Sequence, residues 1–298
     1  MTENNVAVNT ESNAKKRVRV GYIFLALVPF AIIMAVQTIA TIPGVVLAVI
    51  ETVKSGQSYD LAAVMEVFNS KYALITYSAY CVICLGVFIP WYYKGIVKKS
   101  PKVNYKKALG IRSWALSVSV MMCLYFVVSG AFTVLYKLIP QIMEKYDELI
   151  QMSSIGTNVL MTIVYVILLG PLTEELCYRG LMFGILEKSN ANHVLLICIQ
   201  GALFAIMHMN LVQGGYAFLL GIILGYLRYR YRTIIITVSV HMLFNLVGTF
   251  GAQYIDGLGL NDNLTILFGG IAVVIAALLM IFIVKDKNVY TKEQEVIS

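Results

Sequence analysis

Residues 264–284 read LTILFGGIAVVIAALLMIFIV, a continuous run without a charged side chain. A helix of this length rises about 30 Å, which matches the hydrocarbon core of a bilayer. The chain of 298 residues shares this character throughout, since 59% of it is hydrophobic and only 13% is charged, whereas soluble domains carry about 25% charged residues. The composition therefore predicts a membrane protein and excludes a soluble enzyme, a disordered chain and a disulfide scaffold.

Eight segments are apolar and long enough to cross the bilayer as helices. We accordingly predict an all-α fold, a polytopic membrane protein of about eight transmembrane helices around a central polar cavity. The chain divides into an N-terminal tail (1–20), a membrane domain (21–284) and a C-terminal tail (285–298). The eight predicted segments are residues 21–50, 72–93, 113–138, 156–186, 193–210, 214–231, 233–251 and 264–284.

The basic residues are distributed unevenly between alternate connections. Of the 23 Lys and Arg residues, 18 lie in the two tails, in the connections on their side or at the adjoining end of a segment, 4 lie in the other connections or at the segment end that adjoins them, and Arg179 lies in the interior of a segment. Because cytoplasmic loops carry the excess of Lys and Arg, we expect both termini in the cytoplasm. The basic loop from Lys94 to Arg112 is expected to lie against anionic lipid head groups. Basic residues placed in this way indicate topology, and we expect no nucleic-acid partner.

The fourth apolar segment contains three charged residues away from its ends, namely Glu174, Glu175 and Arg179. A charge near the bilayer midplane costs about 2.5–3.5 kcal/mol even on a lenient scale, so each one requires a pairing or a functional explanation. Glu175 and Arg179 are four positions apart and share a helix face, so they can pair. Glu174 is rotated by about 100° from its neighbour and points elsewhere. The carboxylate of Glu174 is then free to take part in a reaction. The alternative interpretation is that the charges form a purely structural ion pair.

Polar residues on two further segments are predicted to lie at a similar depth. His208 follows Phe204 by four positions, and Asn245 follows His241 by four, so each pair shares a helix face. At the helical rise, Glu174, His208 and His241 lie about 18, 22 and 12 Å from the cytoplasmic ends of their segments. We expect these groups to meet in the middle third of the membrane or slightly to its cytoplasmic side.

A carboxylate and an imidazole that converge on a buried water form a general-base site. We expect Glu174 and His208 to hold this water, and His241 with Asn245 to stabilise the negative charge that develops on a carbonyl oxygen. Two histidines and one carboxylate, here His208, His241 and Glu174, also match the ligand count of a catalytic zinc site. The chain has no H-E-x-x-H motif, and both a zinc site and a metal-free glutamate mechanism stay open.

Three short motifs on successive predicted helices together resemble a known family. The chain is similar to the CAAX protease and bacteriocin-processing family of intramembrane proteases, which includes the Ras-converting enzymes and the bacterial Abi proteins. The family is commonly called metalloprotease, although a metal-free glutamate mechanism has been argued for members. The motifs that carry the resemblance are Glu174-Glu175-x-x-x-Arg179, Phe204-x-x-x-His208 and His241-x-x-x-Asn245.

The resemblance implies an all-helical protease core, about residues 156–251, with a cavity open to the cytoplasmic leaflet. It implies catalytic roles for Glu174, His208, His241 and Asn245. It implies supporting roles for the remaining motif residues, which are Glu175, Arg179 and Phe204.

The predicted function is an intramembrane endopeptidase that hydrolyses a peptide bond of a membrane-associated protein or peptide. The resemblance to Abi proteins favours a bacterial plasma membrane. The alternative is a membrane peptide-binding or bacteriocin self-immunity protein that does not cleave. A transporter is disfavoured, because the chain lacks paired broken helices in two matching halves. The sequence does not indicate the oligomeric state.

Overall fold

The computed structural model describes residues 17–56, 60–153, 158–251 and 260–286. Within these ranges the chain is helical and forms no strand, and seven of the helices are long and apolar enough to cross a membrane. The predicted all-α, polytopic membrane fold is confirmed. Most of the two predicted tails, residues 1–20 and 285–298, lies outside the described residues.

The described residues form nine main helices. The helices are α1 (Val20–Lys54), α2 (Leu61–Lys99), α3 (Ile111–Leu138), α4 (Pro140–Met152), α5 (Val159–Ser189), α6 (His193–Met207), α7 (Leu211–Tyr231), α8 (Ile234–Gly251) and α9 (Asp262–Val284).

Helix α6 is shorter than the predicted segment 193–210. It has 15 residues and therefore rises about 22 Å, which is less than the thickness of the hydrocarbon core. The helix ends because Met209 has a left-handed backbone with φ of 48°. Asn210 then starts α7, and its side chain accepts a hydrogen bond from the backbone N–H of Gln213 at 2.9 Å. At membrane depth the backbone polar groups of such a turn must find partners in the protein or in a wet cavity, and the side chain of Asn210 is one such partner.

Helix α4 falls in a connection where the sequence predicts no membrane segment. It begins at Pro140, a favoured first residue of a helix because proline lacks the N–H that would be unpaired there. Met143 and Tyr146 are buried, while Tyr136 of α3 donates a hydrogen bond to Asp147 at 2.6 Å. Helix α4 is therefore an amphipathic helix that covers the end of α3 and does not cross the bilayer.

Small residues allow two pairs of helices to approach closely. A Cβ atom added to Gly130 of α3 would lie 3.1 Å from the Cα atom of Gly269 on α9. In the antiparallel pair α6 and α7, a Cβ atom added to Gly221 would lie 2.9 Å from the Cα atom of Gly201. Close backbone contact of this kind is typical of helix packing in membranes. The second contact brings α7 against the helix that carries Phe204.

Helix α5 is the most deeply packed helix of the fold. Residues 175–186 are all buried, and the contacts of this stretch come from α1, α2, α6, α7 and α8. A helix that is surrounded in this way can hold charged groups away from lipid, because protein groups replace water as their partners. The position of α5 therefore explains how this helix carries three charges away from its ends.

Candidate active site

The backbone of α5 widens on both sides of the glutamate pair. Residues Thr162–Leu169 and Leu176–Met182 form π-helical turns, and Gly170–Glu175 between them is α-helical. Pro171 lacks a backbone N–H, which prevents the regular hydrogen-bond ladder from continuing through this point. Long π-helical turns are rare and often occur at functional sites. The local sequence thus places both glutamates at a junction between two helical geometries.

Glu175 forms a buried ion pair with Arg179, as their spacing predicts. The distance from Arg179 Nη1 to Glu175 Oε1 is 2.6 Å, and both side chains are fully buried. The guanidinium also donates to the carbonyl oxygen of Gly221 at 3.3 Å and lies 4.6 Å from the centre of the Phe204 ring. Arg179 therefore neutralises Glu175 and ties α5 to α6 and α7.

His241 lies between the two glutamates. Its Nδ1 atom is 3.0 Å from Glu175 Oε1, and its Nε2 atom is 3.7 Å from Glu174 Oε2. Because an ionised carboxylate only accepts hydrogen bonds, Nδ1 carries the proton in the first contact. The second distance exceeds that of a hydrogen bond, but one water can contact both atoms. The Glu174 side chain is 14% exposed, while that of Glu175 is fully buried.

His208 is the residue at which α6 ends, and it uses one ring nitrogen to satisfy its own helix. Its Nδ1 atom lies 2.9 Å from the carbonyl oxygen of Phe204, one of the acceptors that the last helical turn leaves unpaired. A carbonyl only accepts, so Nδ1 donates and Nε2 is left with a lone pair in the neutral ring. The Phe204 ring meets the His208 ring at 5.0 Å and the His241 ring at 5.6 Å, both edge to face. Phe204 thus links the two histidines.

Asn245 lies one turn beyond His241 on α8. Its Nδ2 atom donates to the carbonyl oxygen of Val166 at 2.8 Å, on the first π-helical stretch of α5. This bond uses one of the two amide N–H groups. The structure therefore brings Glu174, Glu175 and Arg179 together with His241 and places Asn245 beside the same part of α5. Within the described ranges no direct contact joins His208 to Glu174.

The three side chains considered as zinc ligands do not form a metal-binding group as they are placed here. In the part of the chain that the structure describes, no three His, Cys, Asp or Glu side chains are grouped closely enough to hold an ion. The Nδ1 atom of His241 contacts Glu175, and that of His208 contacts a carbonyl. The geometry gives no support for His208, His241 and Glu174 as a ligand set.

One residue of this network lies outside the three sequence motifs. Gln200 of α6 is fully buried, and its Nε2 atom donates to the carbonyl oxygens of Gly221 at 2.7 Å and Ile197 at 2.9 Å. The Gly221 oxygen is the same atom that accepts from Arg179. The available signal was a single glutamine in the middle of an apolar helix, because an amide at that depth needs partners.

Two tyrosines add hydroxyl groups near Glu174. The hydroxyl oxygens of Tyr80 on α2 and Tyr165 on α5 are 3.4 Å apart, and Glu174 is close enough to interact electrostatically with both. Aromatic residues of this kind are common in membrane helices, so composition alone gave no reason to select them. The tertiary structure identifies them by their contact with each other and by their electrostatic interaction with the carboxylate.

One comparison with known proteins found a similar family. Residues 156–247 match the family model described as type II CAAX prenyl endopeptidase Rce1-like. Neither the search of curated proteins nor the search of solved structures gave a match. The matched segment contains all three motifs, from Glu174 to Asn245. The segment that carries the polar cluster is thus similar to the type II CAAX prenyl endopeptidases, and the resemblance of the chain to the CAAX protease family is confirmed.

Proposed function

We propose that this protein is an intramembrane endopeptidase in which Glu174 activates a water molecule. The proposal is based on the different environments of two adjacent carboxylates. Glu175 is fully buried and paired with Arg179 at 2.6 Å, while Glu174 is partly exposed and lies 3.7 Å from His241 Nε2. A structural ion pair needs only the first carboxylate. The second is available as a base beside a histidine.

The first step is attack on the peptide carbonyl. A water donates one hydrogen to Glu174 and the other to Nε2 of His208, which has a lone pair because Nδ1 donates to Phe204. Glu174 takes the first proton as the water oxygen forms a bond to the carbonyl carbon. The carbonyl π electrons move to oxygen, which gives a tetrahedral intermediate with one negative charge.

The charge on that oxygen requires hydrogen-bond donors that are already in place. We assign this role to Nε2 of His241, which can donate when both ring nitrogens carry protons, and to the second amide N–H of Asn245. Glu175 supports the first donor, since it lies 3.0 Å from Nδ1 of His241. The contact between Asn245 and the carbonyl of Val166 supports the second by fixing the amide.

The last step breaks the carbon–nitrogen bond. The proton held by Glu174 passes to the leaving nitrogen, the carbonyl re-forms, and Glu174 returns to its ionised state. The cycle consumes one water and one peptide bond, and it leaves one carboxyl and one amine product. Arg179 takes no part in proton transfer and holds Glu175 in position.

We further infer that the substrate is a membrane-associated protein or peptide and that both termini of the enzyme face the cytoplasm. The first inference is supported by the match to the CAAX prenyl endopeptidase family and by the location of Glu174 within a membrane-spanning helix. The second is supported by the distribution of basic residues, since 18 lie on the side of the membrane predicted for the two tails and 4 lie on the opposite side.

The test compares Glu174→Gln with Glu144→Gln, an exposed carboxylate on α4. Membrane peptides from cells that express each variant are compared with those of the wild type by mass spectrometry, and cleavage of the peptides found is then measured with purified protein in liposomes. Removing a general base typically slows a reaction by about 10²- to 10⁴-fold. We expect this loss in Glu174→Gln alone, with an unchanged melting temperature. Wild-type cleavage by a folded Glu174→Gln protein would refute the assignment.

A further inference from the structure

A groove lies between α1 and α2, next to the turn that joins α6 to α7. Its volume is about 440 Å³, and its walls include Gln37, Thr41 and Val45 of α1, Tyr77 of α2, and Met209 of the turn. Cavities that bind small ligands have volumes of about 300–1,000 Å³. The groove is therefore large enough for a few residues of an extended chain.

Two walls of the groove adjoin the candidate active site. Met209 directly follows His208 in the chain. On the other wall, the Tyr77 ring stacks on the Tyr165 ring with centres 4.6 Å apart, and Tyr165 precedes Val166, whose carbonyl oxygen binds Asn245. A chain that lies in the groove thus continues toward the space near both His208 and Asn245.

Polar groups that have no partner line this groove. Within the described residues, neither the amide of Gln37 nor the hydroxyl of Tyr77 makes a hydrogen bond, although both lie on membrane helices. The hydroxyl groups of Thr38 and Thr41 donate to carbonyls of their own helix, Met34 and Gln37 respectively, at 2.8 Å. An amide or hydroxyl that is kept from water without a partner is unfavourable. The lining is therefore suited to a ligand that itself carries donors and acceptors.

The outer edge of the groove is open on the lateral surface of the helices. Ile42 and Val46 of α1 are 56% and 49% exposed, and Met209 is 80% exposed. These residues are apolar, as expected of a surface that meets lipid. An occupant can thus enter sideways from the bilayer without passing through the interior of the bundle.

We propose that this groove binds an unwound segment of a membrane-embedded substrate peptide and leads it to the site formed by Glu174 and the two histidines. This inference rests on the proposed function and adds a binding site to it. A peptide that leaves the helical state within a membrane exposes N–H and C=O groups that must find partners. Gln37 and Tyr77 supply such partners, whereas a lipid acyl chain would leave both unpaired.

A crosslinking experiment tests which chain occupies the groove. A photoreactive benzoylphenylalanine replaces Ile42 in the groove wall or, as the matched control, Ile39 on the same helix, which is 67% exposed and is not part of the wall. Both proteins carry Glu174→Gln and are placed in phosphatidylcholine liposomes. The probes are two synthetic Leu-rich and Ala-rich peptides of about 24 residues, one with a central Gly-Pro-Asn-Gly segment and one helical throughout.

We expect the position 42 protein to crosslink the interrupted peptide several-fold more than the helical peptide, and the position 39 protein to show no such preference. Equal crosslinking of both peptides at position 42, or capture of phosphatidylcholine alone, would overturn the proposal. The second result would identify the groove as a lipid site. Because this readout measures binding by an inactive protein, it does not depend on cleavage.

Two substitutions test the groove by affinity and by activity. Gln37→Leu should raise the Kd of the interrupted peptide about fivefold, as expected for one lost hydrogen bond.

In a protein with an intact Glu174, Ile42→Trp should block cleavage of the membrane peptides identified above, while Ile39→Trp should leave it unchanged, with equal melting temperatures. Equal cleavage by the two Trp variants would refute the groove and leave the proposed function intact. Crosslinking at position 42 without any cleavage by the wild type would refute the proposed function and leave the groove intact.

Discussion

The buried ion pair of α5 allows a quantitative prediction about stability. Replacing Arg179 by Met removes the charge that lies 2.6 Å from the fully buried Glu175. Breaking a buried pair from one side costs about 3–5 kcal/mol, because the remaining charge has no compensation. His241 still contacts Glu175 at 3.0 Å, and Gln200 still donates to the Gly221 oxygen, so we place the cost at the lower end, about 3 kcal/mol.

The assay is thermal unfolding in detergent, followed by the fluorescence of Trp91 and Trp114. For a chain of this size, 1 kcal/mol shifts the melting temperature by about 2–4 °C, so Arg179→Met should melt about 6–12 °C below the wild type. The matched control is Lys137→Met, which breaks an exposed ion pair with Asp262 of 3.0 Å. Exposed pairs contribute about 0–1 kcal/mol. The control should therefore melt within about 4 °C of the wild type.

The double variant Arg179→Met, Glu175→Gln separates charge from packing. It removes both partners, and a buried pair replaced on both sides by uncharged groups is often nearly neutral for stability. We therefore expect the second substitution to restore most of the lost melting temperature. A decrease no larger than that of the Lys137 control, or a double variant no more stable than Arg179→Met, would refute the argument that an uncompensated charge causes the loss.

Three further predictions concern packing, capping and positioning. Gly269→Ala should lower the melting temperature, because the new Cβ would lie 3.1 Å from backbone atoms of α3. Gly270→Ala should leave the melting temperature unchanged, because its new Cβ would meet nothing within 4 Å. Similar melting of both variants would contradict the close approach of α3 and α9. Asn210→Ala and Asn261→Ala each remove a helix cap and should each cost about 1 kcal/mol, but only the first, beside the end of α6, should also slow cleavage in liposomes. Gln200→Leu should reduce the cleavage rate, because its amide shares a carbonyl acceptor with the arginine of the buried pair; unchanged cleavage would show that this amide has no positioning role.

The sequence alone predicts most of the membrane helices because the bilayer imposes a simple local requirement. An apolar run must be about 20 residues long to span the hydrocarbon core, and the predicted segment 264–284 corresponds to α9, Asp262–Val284. The pair of Glu175 and Arg179 is equally local, since a spacing of four fixes a shared helix face. Helix α4 lacks an apolar run of this length, and the length criterion therefore does not detect it.

Other features follow only from the tertiary structure, because they depend on contacts between residues far apart in the chain. The early end of α6 depends on the left-handed backbone of Met209, which the apolar pattern does not encode. The position of His241 between two glutamates, and the sharing of the Gly221 oxygen by Gln200 and Arg179, require α5, α6, α7 and α8 to pack together. The sequence thus determines which polar residues enter the membrane, since each stands out against an apolar background. Only the packing of the helices decides which of those residues meet, because the orientation of one helix face relative to another is a non-local property.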